Sequence, residues 1–336
     1  MPLQNVPWAT GNGSLNPVEG ARMSLYAATK EARGVLTVGA MRVAALPVPG
    51  SAVRIHHGGC VTPNDYLKAQ EYGAQAYVMR EMSWTDFEIP ATGSSGGATR
   101  YLIARIKDHQ YAGNAPEDPK NGPYNEYALV SSIDNLSYPH VPLAKIRQPA
   151  NTGTITNSMI TDIREVAMPR VKDVWIPRPV LNGDLSGYSH KLRMAKTGDG
   201  DGRGEQFPDA GRGGEFKVDC EEWASWMQVR FIWTGVRYAG KNAWGGYYLQ
   251  WTDGKNWRSS QDFSWDQLEA GYPYVTEWTL NDNLYIPPES RGKTLRFYPR
   301  AFRDVKSPES AVELTGRSGL SLEVRFLEIA DAALES

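Results

Sequence analysis

Three stretches of this chain carry residue types that do chemistry elsewhere. Gly93-Ser94-Ser95-Gly96-Gly97 matches the G-x-S-x-G pattern that holds a nucleophilic serine on a strained strand-to-helix elbow. The residues that follow, 100–107, read as a strand, so the helix the elbow needs is missing and the stretch reads as a turn. Gly235, Gly240 and Lys241 have most of the spacing of a phosphate-binding loop. Asn242 replaces the hydroxyl residue that would hold magnesium, and Trp244 to Trp251 reads as strand rather than as the helix whose N-terminus would cradle phosphate. Asp199-Gly200-Asp201-Gly202-Arg203-Gly204-Glu205 resembles the start of a calcium loop, yet Arg203 and Ala210 fall where oxygen ligands belong. His56 and His57, adjacent on a predicted strand, point to opposite faces and cannot chelate together. Glu221 and Glu222 diverge in the same way, whereas a glycosidase needs two acids opposed across a cleft. The sequence therefore predicts no catalytic residues, no metal site and no cofactor.

Aromatic side chains are the remaining candidates. Trp244, Tyr247, Tyr248, Trp251 and Trp257 gather around one predicted hairpin, closed by the turn signal Asp253-Gly254. Indole and phenol rings stack on sugar rings and anchor protein interfaces. Trp251 shares an inward row with Leu249 and Tyr247 and reads as core. Tyr248 falls on the opposite face, and Trp244 and Trp257 lie near strand ends, open to either role. Trp244, Tyr248 and Trp257 are the predicted ligand-binding set.

The elements that must position these groups are mainly β, and the chain divides near residue 167. Residues 1–16, rich in Pro, Gly and Asn, read as an extended arm. A helix follows, with Asn16 as cap, Pro17 at the first helical position and Glu19 closing a capping box. Val18, Ala21, Leu25 and Ala28 give it one apolar stripe, and Arg33-Gly34 stops it. Short strands are predicted near 35–46, 52–56, 74–80, 85–89, 100–107, 126–133 and 142–147, suggesting a small β-sandwich or barrel over residues 17–166. A second helix is predicted at 157–166, with Thr156 as cap, Ile155 and Ile160 as a hydrophobic staple, and Met159, Ile160 and Ile163 as a narrow stripe. Residues 167–180 hold Pro169, Pro177 and Pro179 and read as a stiff extended linker.

Residues 181–336 read as an antiparallel, jelly-roll-like β-sandwich. Met227, Val229, Phe231 and Trp233 alternate with polar residues, as do Leu320, Leu322, Val324 and Phe326, the period of a half-buried strand. Thr294 to Tyr298 is a further strand, and Trp265 to Leu268 a single helical turn. Composition sets outer bounds. A net charge of −2 with 22% charged residues lacks the basic field that a nucleic-acid partner needs. Cys60 and Cys220 read as separate buried thiols. No secretory signal pattern and no apolar run of about twenty residues is present, so the expectation is a soluble chain, made in the cytoplasm, without a membrane span.

One stretch narrows identity further. Residues 144–166, AKIRQPANTGTITNSMITDIREV, resemble the end of the N-terminal module in minor tail (baseplate) proteins of long-tailed phages infecting actinobacteria. The resemblance extends to Pro7-Trp8, Glu19-Gly20-Ala21-Arg22, the glycine-serine turn at 93–97, Tyr101 to Ile106, and Gly122-Pro123-Tyr124. It implies a non-enzymatic virion component at the tail tip, assembled in the host cytoplasm, whose N-terminal module docks on other tail-tip proteins. It also implies a homotrimer, in which the narrow stripes, represented by Val18, Leu25, Met159 and Ile163, pack against neighbouring copies. The C-terminal sandwich would then meet a protein or a host surface glycan. The rival expectation is a carbohydrate-binding or glycan-cleaving protein acting on the host envelope.

Overall fold

The computed structural model describes residues 18–66, 74–111, 118, 122–178, 187–196 and 204–330, so the expected N-terminal arm lies outside the described residues. The chain forms two compact units, Met1–Pro169 with Ile329–Ser336, and Arg170–Glu328. Both are built from largely antiparallel sheets, as the alternating patterns predict, with one short parallel pairing of Ala195–Lys196 against Arg303–Asp304.

Unit 1 opens with helix α1 (Val18–Thr29). Its strands are β1 (Gly34–Val35), β2 (Val43–Ala45), β3 (Ala52–Ile55), β4 (Gly58–Pro63), β5 (Ala76–Glu81), β6 (Thr85–Glu88), β7 (Ala98–Ile106), β8 (Asn125–Val130), β9 (His140–Gln148) and β10 (Ile160–Asp162). They pair as β1-β4-β5, β2-β3-β6 and β10-β9-β7-β8 around one core that includes Val53, Ile55, Leu102, Leu143 and Ile146. Helix α1 buries only Gly20 and Thr29, so its apolar stripe is not part of that core. Gly34 takes φ +144° where the backbone of Glu165 passes close by, and a Cβ there would overlap the Glu165 carbonyl oxygen. Arg164 is the polar clasp of this corner. Its side chain is fully buried, paired with Asp162 at 2.6 Å and donating to the carbonyls of Val38 and Ala40.

The predicted helix at 157–166 is corrected. One 3₁₀ turn, Asn157–Met159, is followed by β10, which pairs with β9 from Ile160↔Ile146 to Asp162↔Ala144. The β-branched run Ile160, Thr161 and Ile163 favours extended backbone, and the edge of β9 offers it a ladder. The Thr156 hydroxyl contacts Ser158 at 2.9 Å instead of capping a helix. Strand β4 went unpredicted because two glycines and a proline hide its pattern, while the expected strand at 35–46 is broken by a turn with Met41 at φ 55°.

Unit 2 contains β11 (Val171–Arg178), β12 (Ser189–Lys191), β13 (Ala195–Lys196), β14 (Glu205–Gln206), β15 (Phe216–Asp219), β16 (Trp226–Tyr238), β17 (Ala243–Thr252), β18 (Trp257–Ser259), β19 (Phe263–Gln267), β20 (Tyr274–Tyr285), β21 (Thr294–Asp304), β22 (Val312–Thr315) and β23 (Gly319–Leu327). One sheet runs β11-β23-β16-β20, with β22 and β12 extending it beside β16. The other is built on the β17–β21 pair, flanked by β13, β14, β15, β18 and β19. The inward rows fall as predicted: Met227, Val229, Phe231 and Trp233 meet Tyr247, Leu249 and Trp251 in one core. Phe216 packs edge-on against Phe231 at 5.3 Å, and Tyr247 stacks on Trp278 at 5.0 Å. Two buried indoles keep partners: Trp233 donates to the Phe207 carbonyl at 2.6 Å and Trp278 to the Tyr238 hydroxyl at 2.8 Å.

Two further expectations are corrected. The predicted linker 167–180 is in large part strand β11, paired with β23 from Val171↔Leu327 to Arg178↔Leu320. Pro177 is tolerated there because β11 is an edge strand with one side free of ladder partners. Trp265 to Gln267 lies in β19, paired with β17, not in a helical turn.

Candidate functional site

Strands β11, β23, β16 and β20 each send one row inward, so their alternate residues form one outward face. Register brings these residues into lines across the strands. Asp173 lies beside Arg325, Gln228 and Asn283; Trp175 beside Glu323, Arg230 and Asn281; Pro177 beside Ser321, Ile232 and Thr279. The first two lines border a groove of about 940 Å³. Gln261 and Asp282 close its rim, where the Gln261 backbone N–H donates to the Asp282 carboxylate at 2.9 Å.

The charges on this face are mutually held. Arg325 grips Asp173 through two bonds of 2.7 and 3.2 Å, and its hydrogen bond holds that carboxyl below the usual range. Arg230 lies 3.5 Å from Glu323. With Asp282, the groove has three carboxylates and two guanidinium groups among its lining residues, close to neutral. Trp175 is 67% exposed, and its Nε1–H donates to the Ser321 hydroxyl at 2.8 Å. A tryptophan left this open yet pinned at one end presents a fixed aromatic surface at low ordering cost.

The predicted ligand set does not form a site. Trp244 and Trp257 lie on the other sheet, opposite Asp266 and Thr252, at the two ends of β17. Eight strand residues separate these positions, roughly 27 Å at the ordinary rise. Tyr248, expected at the surface, is 5% exposed and is corrected to a buried position beside Phe302. Trp244 is half-buried, and Trp257 is exposed against Tyr298 at 5.4 Å. Trp251 is core, as predicted. Trp175 was missed because its segment reads as a proline-rich linker. The signal was nonetheless present: Val174 and Ile176 alternate with it, so a strand there had to face Trp175 outward.

The expected packing residues of unit 1 separate likewise. Val18 and Leu25 border an apolar groove of about 450 Å³ with Ala21, Tyr77, Val78 and Ile106. Its polar end is fixed by Arg22, which pairs with Asp108 at 2.5 Å and lies over the Tyr77 ring. Burial, and then its hydrogen bond to Asp108, push the Tyr77 hydroxyl pKa upward. Met159 packs against the unit's own core, and Ile163 is half-buried.

The rejected motifs fall in plain backbone. Residues 93–97 form a turn into β7, and Gly240-Lys241 lies in the turn between β16 and β17. Asp199 to Arg203 lies outside the described residues. Among the described residues, no group of three or more His, Cys, Asp or Glu is placed to hold a metal ion, and no helix is long and apolar enough to cross a membrane. Cys60 and Cys220 are free thiols in different units, pushed by burial up to about 12 and about 11.

No family model and no curated protein matches this chain. Among solved structures, it is similar to the infectious bursal disease virus VP2 subviral particle at 12% identity and a TM-score of 0.28, covering 89% of this chain and 71% of that one. The tandem CBM22 domains of Paenibacillus barcinonensis Xyn10C give 11% identity and 0.21, covering 83% and 87%. The N-terminal cellulose-binding domain of Cellulomonas fimi β-1,4-glucanase C gives 12% and 0.17, covering 48% and 90%. At identities this low and TM-scores well under 0.5, none of them bears on what this chain does.

Proposed function

We propose that this chain is a structural component of a phage tail tip, in which unit 1 docks on the tail and unit 2 is a binding module rather than a catalyst. The observation that carries the binding role is the excess on unit 2. Its inward rows already complete a core, yet one sheet leaves open a grooved four-strand face with an exposed, pinned tryptophan. What distinguishes Trp175 is its place in the groove lining beside convergent amides, an aromatic surface with polar groups around it, the make-up of a ligand site. The tail-tip assignment is supported by the sequence resemblance over residues 1–166. In unit 1, α1 leaves Val18 and Leu25 beside an apolar groove, the chemistry that a second copy of α1 would cover in a closed homotrimer.

Antibody raised against the purified chain tests this on intact particles. Gold label confined to the tail tip is expected. Its absence from purified particles, or label along the capsid, rejects the assignment.

A further inference from the structure

Resting on the reading of unit 2 as a binding module, we propose that the outward face of β11-β23-β16-β20 binds a neutral glycan. A sugar ring lies on Trp175, and hydroxyls meet Gln228, Arg230, Asn281 and Asn283. Four features select this ligand. The groove, at about 940 Å³, is at the large end of ligand sites and lies open along the face. Four strands span about 14 Å at ordinary spacing, room for a short chain rather than one ring. Gln228, Asn281 and Asn283 are exposed amides, each able to donate and accept, which suits hydroxyl groups that also do both. Trp175 supplies the flat apolar surface for the C–H side of a ring, and its bond to Ser321 fixes that surface before binding.

Charge decides against the other ligand classes. Asp173 with Arg325 and Arg230 with Glu323 cancel within the face, so a polyanion finds no net field. A protein partner would have to strip water from both ion pairs, whereas the cores of protein interfaces are depleted of charge and enriched in aromatics. The only large apolar groups on the two groove-bordering lines belong to Trp175. A glycan leaves the pairs intact and hydrogen-bonds to their outer atoms.

The test is calorimetric titration of the full chain with hexasaccharides of glucose, mannose, galactose, xylose and arabinose, and with heparin as the polyanion. At least one neutral hexasaccharide is expected to bind and to quench tryptophan fluorescence. Trp175→Ala should weaken that binding tenfold or more, Trp175→Phe less, and Asn281→Ala several-fold. Trp257→Ala, on the other sheet, should leave it unchanged. An unaltered melting curve of each variant excludes misfolding. Failure of every neutral probe, binding of heparin alone, or full affinity in Trp175→Ala overturns the proposal, as does a tail protein found covering Trp175. Sugar binding by a chain absent from the tail tip would reject the tail assignment and leave this inference standing. A tail-tip protein that binds no sugar would do the reverse.

Discussion

Two open surfaces among the described residues have opposite chemistry. Along α1 in unit 1, Val18, Ala21, Leu25, Tyr77, Val78 and Ile106 border an apolar groove whose Arg22–Asp108 ion pair is tucked to one end. Across β11-β23-β16-β20 in unit 2, amides and paired charges surround one exposed indole. The first gains free energy by leaving water, so it suits a partner that stays attached. The second keeps its polar groups hydrated until a hydroxyl-rich ligand replaces that water, so it suits reversible contact.

The largest expected effect tests whether the polar face depends on the core beneath it. Trp233→Ala removes a fully buried indole that also satisfies the Phe207 carbonyl. It should cost about 3–5 kcal/mol in guanidinium unfolding and abolish ligand binding by unit 2. Retention of cooperative unfolding at the wild-type midpoint would break the packing account. Next in size is Arg22→Ala at the end of the apolar groove. It removes the cation beside the mostly buried Asp108 carboxylate, which keeps hydrogen bonds from the Tyr77 hydroxyl and the Gln110 backbone N–H, with an expected loss of about 2 kcal/mol. The double variant Val18→Glu, Leu25→Glu should change stability far less, because Val18 is 54% exposed and Leu25 only half-buried. Light scattering should nevertheless show it as a monomer where the parent chain is a trimer. A parent chain that is monomeric both at micromolar concentration and in the particle removes the proposed role of the groove.

The smallest effect is a pH dependence of unit 2. Burial alone would raise the Asp253 carboxyl, but N–H donation from Asn256 and Lys255 and the Ser290 hydroxyl outweigh it and hold the pKa well below the carboxylate range. The folded value lies below the unfolded one, near 3.9. This stabilisation is therefore present above pH ~4 and is lost as pH falls below it. The melting temperature of unit 2 should fall as the solution is acidified from pH 5 to 3, with a shallower slope in Asp253→Asn. Equal slopes in both proteins would show that Asp253 is not the group responsible.

The core of unit 2 was legible because strict alternation at 227–233 and 320–326 admits only one inward face. The open face was not legible, for two physical reasons. Pro177 disguised β11 as a linker, although an edge strand needs no inward N–H from it. In β20, Asp282 occupies an inward-parity position opposite Val229, so its period is interrupted where a carboxylate turns to the rim. Without β11 and β20 the face has only two strands and no groove. Aromatic clustering then drew attention to Trp244, Tyr248 and Trp257, which proximity in sequence does not bring together in space. In unit 1, the segment 157–166 carried helix-start signals and an apolar spacing that a β-branched run and the free edge of β9 overrode.

The most direct test of the whole account is a cryo-EM reconstruction of the intact particle at a resolution that places side chains. It should show unit 1 against the tail, with the α1 groove covered by a second copy of this chain. The face bearing Trp175, Gln228, Arg230 and Asn281 should point to solvent. A map in which that face is packed beneath another tail protein while the α1 groove stands open would contradict it.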